Sequence, residues 1–328
     1  MKKKIISILL LLTLVLTSCA SKEANNKNKK ETDFITQTEN IAEQANSKDL
    51  VISSMKGPTG MSLAPLKKDG YNISIKGSIE EQMTAIQKDE ADIFLIPSNL
   101  YAKLQNKDGN LKLLSANVGM ALSLVGQHEI NSIEELSGKT IALTGKGAVP
   151  EVIIKNLLAS YGILDEVNLN FVKDPTEAVP MLLKDENSVA LLPEPFATAI
   201  LTKNENLVKA IDLRESWKEK ELPNIITSVI VAKTDIYESK KDEMDAFVKD
   251  YQNKIVELVN SPLSSTNLNY GKTIEELGIV KAPIAIKAIP SIEFLGYVNN
   301  YKDDLKAFLE NILELNPELI GGKLPNME

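Results

Sequence analysis

Two short glycine-lysine runs are the residues of this 328-residue chain best suited to chemistry. Lys56-Gly57-Pro58-Thr59-Gly60 follows the run Val51-Ile52-Ser53-Ser54, and Thr144-Gly145-Lys146-Gly147 follows Thr140-Ile141-Ala142-Leu143. Each leads into a helix-like stretch. Glycine lets a backbone approach a ligand closely, and the free N–H groups of a helix start favour an anion or a polar acceptor. Taken alone, either run is also an ordinary strand-to-helix turn; their occurrence as a pair points to a site. A second pair follows two apolar runs: Ser98-Asn99 behind Pro97, and Glu194 between Pro193 and Pro195. The prolines stiffen the chain around Glu194, so its carboxylate is either a ligand acceptor or the cap of a helix beginning at Phe196. Asn117 suits a ligand contact and an internal hydrogen bond equally.

Other chemistries lack their residues. His128 is the only histidine and Cys19 the only cysteine, so the chain has no set for a zinc or copper cluster and no Ser-His-Asp or Cys-His constellation. Gly138-Lys139-Thr140 and Gly271-Lys272-Thr273 resemble phosphate-loop fragments, yet Ile133 and Thr266 stand where the first glycine belongs. Arg214, the only arginine, reads as a peripheral packing or ion-pair residue near Glu215 and Trp217, which weakens any case for bidentate recognition of a sulfonate. With 45 acidic and 37 basic residues, a net charge of −8 and no basic stripe with interleaved aromatics, the chain is not expected to bind nucleic acid. The expectation is non-covalent binding of a small solute, with no cofactor, no metal and no catalysis.

These residues need elements to hold them, and an internal echo supplies the architecture. Ser78 to Leu104 and Asp174 to Ile200 share one grammar without a gap. Each opens with a capping box (Ser78 with Glu81, Asp174 with Glu177), runs as a short amphipathic helix to Lys-Asp-Glu, continues as an apolar strand, stops at Pro97 or Pro193 and enters another helix. The same reading has Ser132 and Glu135 capping Ile133–Leu136 and places His128 in a surface turn. With the preceding strand, glycine-lysine loop and helix, each unit alternates strand and helix, which implies parallel sheets covered on both faces. Two such units predict an α/β fold of two doubly wound lobes. Helical spacing over Asp242–Asn260 (Met244, Phe247, Val248, Tyr251, Ile255, Leu258, Val259) and Asp303–Leu315 (Leu305, Phe308, Leu309, Ile312, Leu313) adds two amphipathic helices for the first lobe to use. The chain is therefore expected to leave the first lobe near Met120 and to return through Ile225–Ala232, making two hinge crossings. Residues 50–120 with 230–328 form lobe I in this reading, and 121–229 form lobe II.

The N-terminus reads as an export signal. Lys2, Lys3 and Lys4 precede an apolar run from Ile5 to Leu16 that is shorter than the roughly 20 residues a permanent span needs. Leu16-Thr17-Ser18-Cys19 looks like a bacterial lipobox, so residues 1–18 are expected to be removed and Cys19 to carry a lipid. Residues 19–49 are rich in Asn, Lys, Glu and Ser, too polar to bury a core, and read as a flexible tether.

Taken together, the chain resembles a type II periplasmic-binding-protein-like solute-binding lipoprotein of an ABC importer. It is most similar to the group that handles nitrate, sulfonates, taurine or thiamine-pyrimidine precursors. The matching residues are Lys56–Met61, Pro97–Leu100, Ile133–Thr140, Thr144–Glu151, Leu192–Phe196 and Gly321–Pro325. The resemblance implies a monomer held at the extracytoplasmic face of the cell membrane by its lipid. It implies a small polar solute bound between the lobes, and partners in a permease and its ATPase. The ligand-binding set expected on this basis is Lys56, Gly57, Pro58, Thr59, Gly60, Ser98, Asn99, Asn117, Thr144, Gly145, Lys146, Gly147 and Glu194. The rival is an enzyme on the same fold acting on a pyrimidine or small acid. In the resembling group, pyrimidine-forming chemistry relies on histidine and iron, and His128 stands alone.

Overall fold

The structure, a computed structural model, describes residues 46–260, 265–296 and 300–327; the basic start, the apolar run, Cys19 and the polar stretch through residue 45 lie outside them. Two five-stranded sheets carry the fold. The first holds β1 (Val51–Met55), β2 (Asn72–Lys76), β3 (Ile93–Pro97), β4 (Leu111–Val118) and the distant β10 (Ser228–Lys233), in the order β2-β1-β3-β10-β4. The second holds β5 (Leu122–Gly126), β6 (Thr140–Leu143), β7 (Asn168–Phe171), β8 (Ser188–Pro193) and β9 (Val208–Ile211), in the order β7-β6-β8-β5-β9. Position for position the two orders are the same, so the sequence echo is a topological one.

The helices follow suit. In the first unit α1 (Pro58–Met61) and α2 (Ala64–Lys68) lead to β2, α3 (Ile79–Gln87) to β3, and α4 (Ser98–Asp108) to β4. In the second, α5 (Val149–Ser160) leads to β7, α6 (Ala178–Lys184) to β8 and α7 (Phe196–Lys203) to β9, with α8 (Leu213–Glu219) after it. After β10 come α9 (Thr234–Ser239), α10 (Lys241–Asn260), α11 (Ser265–Glu276), α12 (Ala282–Ala288) and α13 (Tyr301–Leu315).

The sheets differ from the all-parallel expectation in one strand each. β1, β2 and β3 are parallel, as are β6, β7 and β8, but β10 runs antiparallel to β3 and β4, and β5 antiparallel to β8 and β9. The reason is directional. The parallel strands end at the junction between the two sheets, so a chain arriving from the other sheet enters at that end and must run away from it.

Local chemistry sets the helix ends. The Ser78 hydroxyl accepts from Glu81 N–H at 3.2 Å, and the Glu81 carboxylate accepts from Gly77 N–H at 2.6 Å. Asp174 accepts from Thr176 N–H at 2.8 Å while Glu177 accepts from Lys173 N–H at 3.2 Å. The first box forms, its Glu reaching one residue further back than the motif requires; the second departs from it, because Asp174 caps the N–H two residues on and the Glu177 N–H bonds the Asp174 carbonyl in a 3-10 turn. Ser132 makes no side-chain cap; Glu135 instead accepts from the Asn131 backbone and amide. His128 is exposed beside Glu186, as expected of a surface turn.

Apolar stripes then join these elements. Leu63, Leu66, Met244, Phe247, Tyr251 and Ile255 cover one face of the first sheet. Ala85, Ile86, Leu100, Phe308 and Leu309 belong to a second core, which continues through Met120, Ile225 and Leu295 to Val152, Ile153, Leu157 and Trp217 on the second sheet. Ala178, Leu182, Ala197 and Ile200 close the remaining face. α10 serves the first sheet through Met244, Phe247, Tyr251, Ile255 and Leu258, as the spacing indicated, while Val259 of the same stripe faces solvent. α13 does more: it packs against α4 and β4 of the first sheet and also against α5 of the second.

Between the sheets the chain is clamped. Thr227 N–H donates to Val118 O at 2.8 Å on one side of the first crossing; on the other, Gly119 N–H donates to Glu293 O at 2.8 Å, Glu293 N–H to Met120 O at 2.8 Å and Leu295 N–H to Asn117 O at 2.9 Å. The Glu293 carboxylate also accepts from Met120 N–H at 2.9 Å. A Cβ at Gly119 would lie 2.3 Å from that carboxylate and 3.0 Å from Ile225 O, so a larger residue there would displace the Glu293 side chain from its bond to Met120 and crowd Ile225 O. Asn117, wholly buried, donates through its amide to Ser62 Oγ and Tyr251 Oη at 2.8 Å each and accepts from Ser228 Oγ at 2.6 Å. Asn117→Ala removes three buried side-chain hydrogen bonds and takes from the Ser228 hydroxyl its acceptor, and should lower stability by roughly 2–4 kcal/mol in denaturant titrations followed through Trp217; an unchanged midpoint would show that this network carries no stability.

Candidate functional site

The junction end of the sheets is where open α/β sheets place ligands, and the expected site residues sit there in two unlike halves. At the first sheet, Gly57 takes φ +95°, a region glycine occupies without strain, and starts α1 with no side-chain cap. Gly60 is buried, and a Cβ on it would meet Met55 O at 2.5 Å. Pro58 and Thr59 are half-buried and Lys56 is exposed. α4 also begins with no side-chain cap. Its first residue, Ser98, is wholly buried, donates its backbone N–H to Thr227 O at 3.0 Å, and has no hydrogen-bond partner for its hydroxyl among the described residues. Asn99 lines a groove between α3 and α4. Asn117 is fully engaged in the crossing network, the internal hydrogen-bonding role that its sequence context also allowed.

At the second sheet, carboxylates of the chain itself occupy the helix starts. Gly145 (φ +79°) and Gly147 (φ +74°) make the turn expected of them, with Thr144 half-buried and Lys146 exposed, its ammonium 5.8 Å from the Phe171 ring centroid. Gly147 N–H donates to Glu151 at 2.6 Å, and Glu151 pairs with Lys155. Burial works against the charge on Glu151, but its bonds from Lys155 and Gly147 outweigh that and hold the carboxyl below its ordinary value. Gly147 O accepts from Asn316 Nδ2 at 2.8 Å, so the end of α13 sits against this loop.

Glu194 is buried, 3 % exposed, with one oxygen accepting from Ser123 Oγ at 2.7 Å and the other from Thr198 N–H at 3.2 Å and Thr198 Oγ1 at 2.7 Å. The Glu194–Pro195 peptide is cis. This is the helix-capping geometry of the two alternatives the sequence left open, applied to α7. α8 is capped likewise by Asp212, which accepts from Arg214 N–H at 3.0 Å.

Asp212 and Arg214 lie closer to the junction than the sequence suggested. Arg214 binds Asp212 through Nε at 3.2 Å and Nη2 at 2.9 Å and donates through Nη1 to Pro290 O at 3.1 Å, in the segment after α12. Its partner is Asp212, not the neighbouring Glu215, and with Met120, Ile225 and Glu293 it lines a small cavity beside the crossings. Burial alone would raise the Asp212 carboxyl; the Arg214 bonds and the Lys209 charge overcome this and hold it well below the usual carboxylate range. Glu151 and Asp212 were readable as helix-start acids, one at the third helical position and one just before an amphipathic run. Nothing around Asn316 in sequence marks its contact.

Two lobes of identical strand order, joined by two crossings with all parallel strands ending between them, define the type II periplasmic-binding-protein-like fold. Residues 111–264 match the family model described as NMT1/THI5 like, which agrees with the group the sequence resembles. An ABC transporter protein from Parabacteroides distasonis is similar at 22% identity over 85% of this chain and 97% of that one, with a TM-score of 0.68. The periplasmic aliphatic sulphonate binding protein SsuA from Escherichia coli is similar at 14% identity over 85% and 93% of the chains, with a TM-score of 0.59. A zinc-bound ligand binding component of an ABC-type import system from Staphylococcus aureus is similar at 13% identity over 82% and 93%, with a TM-score of 0.59. At these identities the structures speak for the fold alone. No curated protein sequence matches the chain.

The depressed Asp212 pKa has a pH consequence. A carboxyl whose pKa falls on folding contributes stability above its unfolded value, about 3.9, and loses it as pH drops toward the folded value. Asp212→Asn should therefore be less stable than the wild type at neutral pH, with the gap closing as pH falls below about 4. A gap independent of pH in thermal melts would show that the Asp212 charge is not what stabilises this end of α8.

Proposed function

We propose that this chain is the extracytoplasmic, lipid-anchored substrate-binding subunit of an ABC importer, acting as a monomer without catalysis. A small polar solute binds between lobe I (residues 50–120 and 230–328) and lobe II (121–229), and the lobes close on it about the two crossings. A permease and its ATPase receive the solute. Cys19 carries the anchor at the cell membrane; among the described residues no helix is long and apolar enough to cross a membrane.

The observation that carries this reading is the asymmetry of the junction. In lobe II, helices α5, α7 and α8 have their starts occupied by Glu151, Glu194 and Asp212. In lobe I, α4 starts without a side-chain cap beside the Ser98 hydroxyl, which has no partner among the described residues, and the Gly57–Gly60 turn has no side-chain cap either. Free N–H groups attract an acceptor or an anion, whereas a carboxylate already in place removes that attraction. The solute's acceptor end, whether sulfonate, carboxylate or ring oxygen, therefore belongs against Ser98, Asn99 and Lys56–Gly60. Thr144–Gly147 face it from the other lobe, with Lys146 as the mobile charge. The sulphonate binding of SsuA from Escherichia coli agrees with an acceptor of this kind, and the engagement of Arg214, the only arginine, by Asp212 argues for recognition by backbone donors.

A thermal-shift screen of the full chain against sulfonates, taurine, nitrate, small carboxylates and pyrimidines tests the proposal. A true ligand at 100 times its Kd should add about 2.7 kcal/mol of stability. Ser98→Ala should weaken that ligand about tenfold in calorimetry, the equivalent of one hydrogen bond of about 1.4 kcal/mol. Glu194→Gln should reduce stability and leave affinity nearly unchanged; the reverse pattern would place the acceptor site in lobe II. Independently, Cys19→Ala should abolish lipid labelling and membrane retention, and persistent labelling would remove the anchor from the proposal.

A further inference from the structure

One segment of the C-terminal third lies along the junction and touches both lobes. Ala285 and Ala288 of α12, with Ile289 and Ile292 after it, are buried in the core of the first sheet, and Phe294 bridges to Val118 of β4. The same segment reaches the other way. α12 packs against α7, and Pro290 O accepts from Arg214 Nη1 at 3.1 Å. Arg214 stands in the first turn of α8, which rests on β5 of the second sheet. The two lobes are therefore joined here by side chains as well as by the two crossings.

The Arg214 bond is directed by its own neighbours. Nε and Nη2 hold the two oxygens of Asp212 at 3.2 and 2.9 Å, and Asp212 is itself fixed as the cap of α8 through the Arg214 N–H at 3.0 Å. With one edge of the guanidinium held in this fork, Nη1 is left pointing over the junction at Pro290 O. A lysine ammonium on its flexible stem cannot hold a carboxylate in two places and a carbonyl beyond it. Of the 37 lysines and arginines in the chain, this is the only arginine. Three residues after Pro290, Glu293 accepts from Met120 N–H at 2.9 Å. One short segment thus bonds to α8 and to the first crossing.

We propose that Arg214 is a tie between the lobes that sets the angle between them before any solute arrives. With the tie in place, this arrangement is favoured over others that turn about the same crossings. In a solute-binding subunit that balance sets how much of the protein is ready to bind, a consequence that rests on the importer reading; the tie itself does not.

Distances between spin labels, measured by double electron–electron resonance without any ligand, test it. The full chain carrying Cys19→Ser has no other cysteine. Thr84→Cys on α3 and Ala159→Cys on α5 then give one exposed label on each lobe. With Arg214 present, one dominant distance is expected. Arg214→Lys keeps the charge but loses the fork, and should raise the population of a second distance about tenfold, the worth of one hydrogen bond from a charged group. Lys209→Gln, which removes the other cation on Asp212 and leaves Pro290 untouched, should keep the wild-type distance. A lower melting midpoint in Arg214→Lys with an unchanged distance distribution would overturn the proposal. An equal change in Lys209→Gln, or failure of Arg214→Lys to fold, would overturn it too, since each assigns Arg214 to the stability of α8 alone. A thermal-shift screen that finds no ligand would sink the importer reading and leave these distances as they are.

Discussion

The backbone of Asn117–Met120 is held on both sides by other parts of the chain, and the architecture depends on that clamp. Thr227 bonds it from the returning segment and Glu293–Leu295 from the far C-terminal third. Three stretches widely separated in sequence thus meet at one point, and a Cβ on Gly119 would press on the Glu293 carboxylate and crowd Ile225 O. Once the chain crosses at this point, the rest of the topology follows. A strand arriving from the junction cannot join its sheet in parallel, so β5 and β10 become the antiparallel members. Because they are inserted beside β8 and β3, every parallel strand still ends facing the other lobe, and so do the helix starts that follow β1, β3, β6, β8 and β9.

Those helix starts then decide the electrostatics of the cleft. A helix start carries the equivalent of about half a positive charge, and a carboxylate bonded to it cancels most of the attraction for an external anion. Lobe II spends this on its own acids, Glu151, Glu194 and Asp212. Lobe I leaves α4 uncovered. The two lobes share a topology and yet differ in which helix starts at the junction are already bonded to a carboxylate.

α13 ties the lobes together from outside the cleft. It shares a core with α4 and β4 on one side and with α5 on the other, and Asn316 at its end binds Gly147 O. The C-terminal tail continues along α4, where Asn106 donates to Ile320 O and Lys323 O at 2.7 Å each, with Gly321 and Gly322 both in the left-handed region. The Thr144–Gly147 loop is thus tied by a direct hydrogen bond to the end of α13, which also packs on the first sheet.

Local order was legible in the residues themselves. Short apolar runs marked the strands, capping acids and glycines marked the helix ends, and the gapless echo between Ser78–Leu104 and Asp174–Ile200 revealed two units of one topology, because each of these features is an interaction within a few residues of chain. The loops Lys56–Gly60 and Thr144–Gly147 were legible for the same reason. What only the tertiary structure decided was where side chains spend their hydrogen bonds. Glu194 could cap or bind a solute, and Ser123 with Thr198 took both of its oxygens. Asn117 could do either as well, and Ser62, Tyr251 and Ser228 absorbed it. Arg214 looked peripheral until Pro290 O, 76 residues away, came within 3.1 Å. The helix-start acids could be seen as caps, but that α5, α7 and α8 carry one at the junction while α1 and α4 do not depends on contacts between distant segments, which no local pattern encodes.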